Sequence, residues 1–191
     1  MFFRLIRPAF CLLIVMTVLL GLVYPALITG VAKLAFPYRA AGSLLYKDGN
    51  LIGSNLIGQS FVDPKFFWGR PSATTPQPYN GIASSGSNLG PLNPALIEAV
   101  KVNAKALRDA DPANHQRIPV DLVTASASGL DPDITEAGAR YQVARVARVR
   151  GIAPERIEAL ISAQLQGRLL GLIGEPRVNV LGLNLALDQI K

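Results

Sequence analysis

Between Pro8 and Ala32 the chain carries no charged side chain, and this run constrains the fold before any other feature does. Rising about 1.5 Å per residue as a helix, it reaches about 37 Å, more than the roughly 30 Å hydrocarbon core of a bilayer. Only Thr17, Gly21, Pro25, Thr29 and Gly30 interrupt its apolar residues, so insertion is favourable at every depth and one membrane pass is expected. Pro25 removes a backbone donor inside the run. The helix should kink there, and a neighbouring membrane helix packed at Pro25 would cover the defect.

A cleaved signal peptide is the competing reading, because Arg4 and Arg7 precede the run. Signal peptides carry only about 7 to 15 apolar residues before a small-residue cleavage site. Here Lys33, Phe36, Pro37, Tyr38 and Arg39 follow, in the manner of interfacial anchors. Residues 1–7 are therefore expected to be a short cytoplasmic tail, residues 8–32 a transmembrane helix, and residues 40–191 a single domain outside the cytoplasm. The orientation follows because charges on a short tail count for more than those attached to a long translocated domain.

Beyond Arg39 about 150 residues remain, the size of one ordinary domain. The net charge of +6 is scattered singly, with no basic run or RNA-binding aromatic signature. Nucleic acid is not expected as a partner, and anionic membrane lipid is the simpler counterpart for that charge. The single cysteine, Cys11, lies in the apolar run, and the single histidine, His115, lies in the polar loop Asp111 to Arg117. This composition leaves the domain without a disulfide, without a thiolate metal site and without a cysteine- or histidine-based triad.

Asp48-Gly49-Asn50 between two apolar runs, within Ser43 to Phe61, predicts a β-hairpin. Val62 to Asn93 is rich in Gly, Pro, Ser, Thr and Asn and predicts a long loop, which Phe66, Phe67, Trp68 and Tyr79 should keep ordered. Three amphipathic helices follow. Pro94 to Asp109 places Leu96, Val100, Ala104 and Leu107 on one face after the N-cap Asn93. Thr135 to Arg150 carries Ala139, Val143 and Val146, with Asp133 and Glu136 at capping-box spacing and Gly151 as its stop. Pro154 to Gln166 carries Ile157, Leu160, Ile161 and Leu165. Pro119 to Ala125 and Arg177 to Leu181 suit strands, and Leu183, Leu187 and Ile190 suit a closing helix. The expected fold class is α+β, a mixed α/β domain on a single N-terminal transmembrane helix.

Little in the domain carries chemistry. Arg140, Arg145, Arg148 and Arg150 spread around their helix and are expected on a solvated face. Asp131, Asp133 and Glu136 at a helix start suit capping and the helix dipole. The runs Ser84 to Pro91 and Ser126 to Pro132 are turn sequences. Backbone amides in such turns can cradle phosphate, but neither run matches a P-loop, and no Gly-x-Ser-x-Gly elbow occurs. No catalytic and no metal-binding residue is expected.

Several motifs together resemble one family, the C subunit of the Kdp potassium-transporting P-type ATPase. They are Gly58-Gln59-Ser60-Phe61, Trp68-Gly69-Arg70-Pro71-Ser72-Ala73, Tyr79-Asn80, the Ser84 to Pro91 run, Val120 to Ser126, Gly129 to Pro132 and Gly174 to Leu181. The resemblance implies an accessory subunit of a bacterial inner-membrane complex, with an ATP-hydrolysing subunit and a potassium-channel-like subunit as partners. It further implies a role in assembly and as a catalytic chaperone that raises the ATP affinity of the ATP-hydrolysing subunit through a transient complex with ATP. ATP is cytoplasmic, whereas the expected topology puts Ser84 to Pro91 outside, so any such effect must travel as coupling between distant sites. The Ser84 to Pro91 run also faintly resembles the ABC transporter signature, with Asn88 where glutamine is expected. The chain departs from the family at Ser85 and Ala127, where glycine is usual.

Gln59, Arg70, Ser72, Tyr79, Asn80 and Asn88 are the candidate polar positions of a subunit contact or ligand-facing surface. The alternative for each is a loop residue satisfying its neighbours' hydrogen bonds. The alternative for the whole chain is a stand-alone membrane-anchored periplasmic binding module.

Overall fold

The computed structural model describes residues 2–190. The chain divides into two compact units, residues 1–51 and 52–191.

In the first unit, α1 (Phe2–Val18) continues through a wide turn at Leu19–Val23 into α2 (Tyr24–Ala35). The stretch Arg4–Ala35, 32 residues with a mean hydropathy of 2.6, is long and apolar enough to cross a membrane. The irregularity expected at Pro25 lies in the turn just before it. Proline offers no N–H to the carbonyl of Gly21, four residues back, and the preceding residues relax to a wider spacing in which the Tyr24 N–H donates to the Leu19 carbonyl. A short helix, α3 (Pro37–Ala40), leads to a two-stranded sheet of β1 (Leu44–Lys47) and β2 (Asn50–Ser54). Asp48 at φ 52° and Gly49 at φ 79° supply the paired left-handed residues of a type I′ turn.

The second unit holds a long loop, α4 (Pro94–Ala110), a 3-10 turn (Val120–Leu122), β3 (Asp133–Thr135), α5 (Glu136–Tyr141), α6 (Val143–Arg150), α7 (Pro154–Gln164), β4 (Arg177–Asn179) and α8 (Val180–Leu187). Strands β3 and β4 pair antiparallel, with Ile134 opposite Val178. Each runs directly into a helix capped by the last residue of the strand. Thr135 Oγ1 accepts from Gly138 N at 2.9 Å, and Asn179 Oδ1 accepts from Gly182 N at 2.9 Å. Phe67, Ile134, Ala139, Val146, Ile157, Ile161, Val178, Leu183 and Leu187 form the core. Along α4 the face expected from periodicity turns inward, with Leu107 buried and Leu96, Val100 and Ala104 half-buried. The fold is mixed α/β, as expected, with one long apolar N-terminal helix.

Four local expectations are corrected. The helix expected over Thr135 to Arg150 is two helices, broken at Gln142, and its N-cap is Thr135, with Asp133 in the strand. Gln142 leaves helical register because its buried amide is engaged elsewhere: Oε1 accepts from Trp68 N at 2.8 Å, and Nε2 donates to the carbonyls of Trp68 and Gly138, each at 3.1 Å. Pro119 to Ala125 is not a strand. Among the described residues no neighbouring strand offers it a ladder, and its 3-10 turn aims Asp121 inward, where Oδ2 accepts from Thr135 N at 2.7 Å. The strand at Arg177 stops at Asn179, where the cap just described starts α8.

The fourth correction is Arg145, which is 2% exposed. Its guanidinium lies 4.4 Å from the Trp68 ring centroid. It donates to the carbonyls of Pro64 and Phe66 and to Gln142 Oε1. Burial lowers its pKa to about 10, so it stays charged at neutral pH. A planar fork of donors explains why arginine can be buried there, since it reaches the Pro64 and Phe66 carbonyls and Gln142 Oε1 at once. The other three arginines are ion-paired: Arg140 with Glu136 and Glu158, Arg148 with Asp111, and Arg150 with Asp188.

Candidate functional site

The long loop is ordered by side chains from the helices that follow it. Arg145 and Gln142 hold Pro64 to Trp68 from one side, and Asn184 of α8 brackets the Phe67 main chain from another. This fixes Trp68 and, beyond it, Gly69-Arg70-Pro71-Ser72. The chain then returns through Tyr79, whose φ of 56° is unusual for a bulky residue. Between these strips and α4 lies a cavity of about 460 Å³, lined by Gln59, Phe61, Trp68, Arg70, Ser72, Tyr79, Asn103, Leu107 and Leu122, among others.

Four of the six candidate residues, Gln59, Arg70, Ser72 and Tyr79, therefore meet at one cavity. Their polar atoms are largely spent on their own backbone. Ser72 Oγ donates to the Gly129 carbonyl at 2.7 Å and accepts from Tyr79 N at 2.9 Å. Tyr79 Oη donates to the Arg70 carbonyl at 2.6 Å. Burial, aided by the Asp131 carboxylate, pushes the Tyr79 hydroxyl up to about 12, so it remains a neutral donor. Arg70 Nη1 pairs with Asp131 Oδ2 at 3.0 Å, while its buried Nε has no partner among the described residues. Gln59 Nε2 donates to the Ile52 carbonyl at 2.6 Å. Glycine is required where Tyr79 packs on the main chain: a Cβ on Gly58 would stand 2.4 Å from the Tyr79 ring and 2.6 Å from the Asp131 carbonyl.

The remaining two candidates lie elsewhere. Asn80 is buried, donating through Nδ2 to the Thr75 carbonyl at 3.0 Å and through its main-chain N–H to Thr74 Oγ1 at 3.0 Å. Asn88 is exposed in the loop, at φ 52°, and does not line the cavity.

The two serine and glycine runs meet each other. Ser85 N and Ser84 Oγ both donate to the Ser128 carbonyl at 3.0 Å. Gly129, at φ 66°, lies so close that a Cβ would stand 2.6 Å from the Ser85 carbonyl, and a Cβ on Gly86 would stand 2.7 Å from the Ala127 carbonyl. Ser85 and Ala127 do not have positive φ, so a side chain at either position brings no left-handed backbone strain. Among the described residues no group of three or more His, Cys, Asp and Glu side chains could hold a metal ion. His115 is an exposed loop residue.

Sequence reasoning missed the roles of Arg145, Gln142 and Asn184, which build the site from behind; Trp68 was expected to order the loop, but not to wall a cavity with Phe61. Helical position gave no signal for Arg145, which sits about 200° around the helix from Val143, away from the face of Ala139, Val143 and Val146.

Fold and site define a class: an α/β domain following a long apolar helix, with a mainly apolar cavity whose polar rim is tied into its own main chain. A family model described as KdpC, the K+-transporting ATPase c chain, matches residues 6–189. The chain is 63% identical over 183 residues to the potassium-transporting ATPase KdpC subunit of Variovorax paradoxus, covering 96% of this chain and 95% of that one. It is 60% identical over 188 residues to the corresponding subunit of Polaromonas naphthalenivorans, covering 98% and 96%. With that of Dechloromonas aromatica it shares 59% over 186 residues, covering 97% of each. The chain belongs to the KdpC family, the noncatalytic C subunit of the Kdp potassium-transporting ATPase.

Proposed function

We propose that this chain assembles and stabilises an ATP-driven, high-affinity potassium uptake complex in the bacterial inner membrane, together with an ATP-hydrolysing and a potassium-channel-like subunit. Residues 1–7 form its cytoplasmic tail, residues 8–32 its membrane span, with Pro25 at a helix contact, and residues 40–191 its extracytoplasmic domain. The cavity rim of Gln59, Arg70, Ser72 and Tyr79 faces a partner subunit or a small ligand.

The observation that carries this reading is the match to the KdpC family model over residues 6–189, together with an apolar stretch, Arg4–Ala35, long enough to cross a membrane. Ser72 and Tyr79 spend their hydroxyls on main-chain carbonyls, and Arg70 is paired to Asp131. These bonds fix the shape of the rim, so a partner or ligand would meet mainly the apolar wall of Phe61, Trp68, Leu107 and Leu122. The family's role as a catalytic chaperone for ATP fits if it acts at a distance: the domain biases one conformation of the complex, and nucleotide affinity rises in the partner by linkage. The two serine runs, hydrogen-bonded to each other, serve as structure.

The test is potassium-stimulated ATP hydrolysis by complexes purified in mild detergent from cells with and without this chain. Loss of assembly, or a raised KM for ATP in complexes that still assemble, is expected. Unchanged recovery and unchanged ATP dependence would overturn the reading.

A further inference from the structure

Beyond the cavity, one surface feature is unlike the rest of the domain. Between Gln166 and Arg177 the chain makes a narrow finger. At its base the Gln166 N–H donates to the Arg177 carbonyl at 2.9 Å, and the Arg177 N–H donates back at 3.0 Å. Nearer the tip the Leu169 N–H donates to the Ile173 carbonyl at 2.8 Å, and Ile173 returns the bond at 3.0 Å. The tip carries four large aliphatic side chains that meet no core: Leu169, Leu170, Leu172 and Ile173 are 66%, 85%, 81% and 65% exposed. The tight turn is made with Leu170 at φ 53° and Gly171 at φ 74°, a conformation uncommon for leucine.

Both features are unfavourable for an isolated domain. Single exposed apolar residues are ordinary, whereas adjacent ones on a rigid projection mark a contact. Strain held by surrounding hydrogen bonds points the same way. The choice between lipid and protein rests on charge and rigidity. Arg168 and Glu175 flank the tip and neutralise each other, with Arg168 Nη2 donating to both carboxylate oxygens at 3.1 and 2.9 Å. The finger thus offers no excess positive charge to anionic headgroups. Its doubly hydrogen-bonded frame presents the four side chains in fixed positions, which a fluid bilayer does not require and a shaped apolar recess does.

We infer that the Leu169–Ile173 tip is a docking element that inserts into an uncharged apolar recess on another protein subunit of the complex. This rests on the proposed role as an assembling subunit and adds where the contact is made. Removing two leucines from the tip should weaken association at least about a hundredfold.

The experiment uses the full chain in membranes that also contain the other subunits. A photo-reactive benzophenone amino acid replaces Leu170, or Ile82 as an exposed control. In parallel, a Leu170→Asp/Leu172→Asp chain is affinity-purified in mild detergent, with circular dichroism checking its fold. The expected result is a cross-link from position 170 to a protein subunit and none from position 82, with partner subunits lost from the folded double variant. A cross-link to lipid only, no cross-link at 170, or undiminished partner recovery by the double variant would overturn the inference. If the double variant fails to fold, the cross-linking result decides. Failure of the unaltered chain to co-purify with any subunit would defeat the assembly role as well, whereas normal co-purification of both chains defeats the finger alone.

Discussion

The side-chain amide of Asn184 closes a reciprocal pair of hydrogen bonds on the main chain of Phe67, 117 positions away, accepting from its N–H at 2.8 Å and donating to its carbonyl at 3.0 Å. The loop before the candidate site is thus held like a strand, by an amide in place of a neighbouring backbone. Asn184→Leu strands two buried main-chain groups at about 1–3 kcal/mol each. Denaturant unfolding of the full chain in detergent, followed by Trp68 fluorescence, should show a loss of about 2–6 kcal/mol.

Arg145 holds the same segment from the opposite side. Lysine keeps the charge but not the planar fork that reaches Pro64, Phe66 and Gln142, nor the stacking on Trp68. Arg145→Lys should therefore cost about 2–4 kcal/mol and shift the Trp68 emission spectrum. An unfolding midpoint equal to that of the unaltered chain would show that charge alone suffices there.

Tyr79 makes alkaline stability a readout of the site. Its hydroxyl ionises near 10 when unfolded and is pushed up to about 12 in the folded chain. The folded state holds the proton more tightly, so this contribution is intact below pH 10 and is lost as pH rises from 10 to 12. Tyr79→Phe should cost about 1 kcal/mol at pH 7, through the lost bond to the Arg70 carbonyl. It should also remove this component of the alkaline decline, visible as the difference between the two stability profiles.

The meeting of the two serine runs predicts a sharp contrast between glycines. Gly129→Ala places a Cβ 2.6 Å from the Ser85 carbonyl at a φ of 66°, and should destabilise by more than about 2 kcal/mol. Gly90→Ala meets nothing within 4 Å and should stay within about 0.5 kcal/mol of the unaltered chain. Thermal unfolding of the two variants side by side checks both.

The elements legible in the sequence were those whose signal is local. The apolar run, the left-handed Asp48-Gly49 turn and the inward faces of α4 and α7 follow from composition and spacing. The break at Gln142 was hidden because its cause is an amide bonded to Trp68, 74 positions away. Arg145 was misjudged for a related reason: helical angle alone does not show that three acceptors wait inside. Pro119 to Ala125 has strand-forming residues but no partner edge, and β propensity without a partner does not make a ladder. Of the site, Gln59, Arg70, Ser72 and Tyr79 were legible as polar residues of the motifs that carry the family resemblance. That they would share one cavity depended on contacts from α4, α6 and α8.

The central claim is that the domain acts from outside the cytoplasm and reaches nucleotide only through its partners. With Cys11 replaced by serine, Leu92→Cys places one thiol at a position 90% exposed in the long loop. An impermeant maleimide applied to intact cells with a permeable outer membrane should label it as fully as after lysis. Labelling that appears only after lysis would put the domain in the cytoplasm and contradict the account.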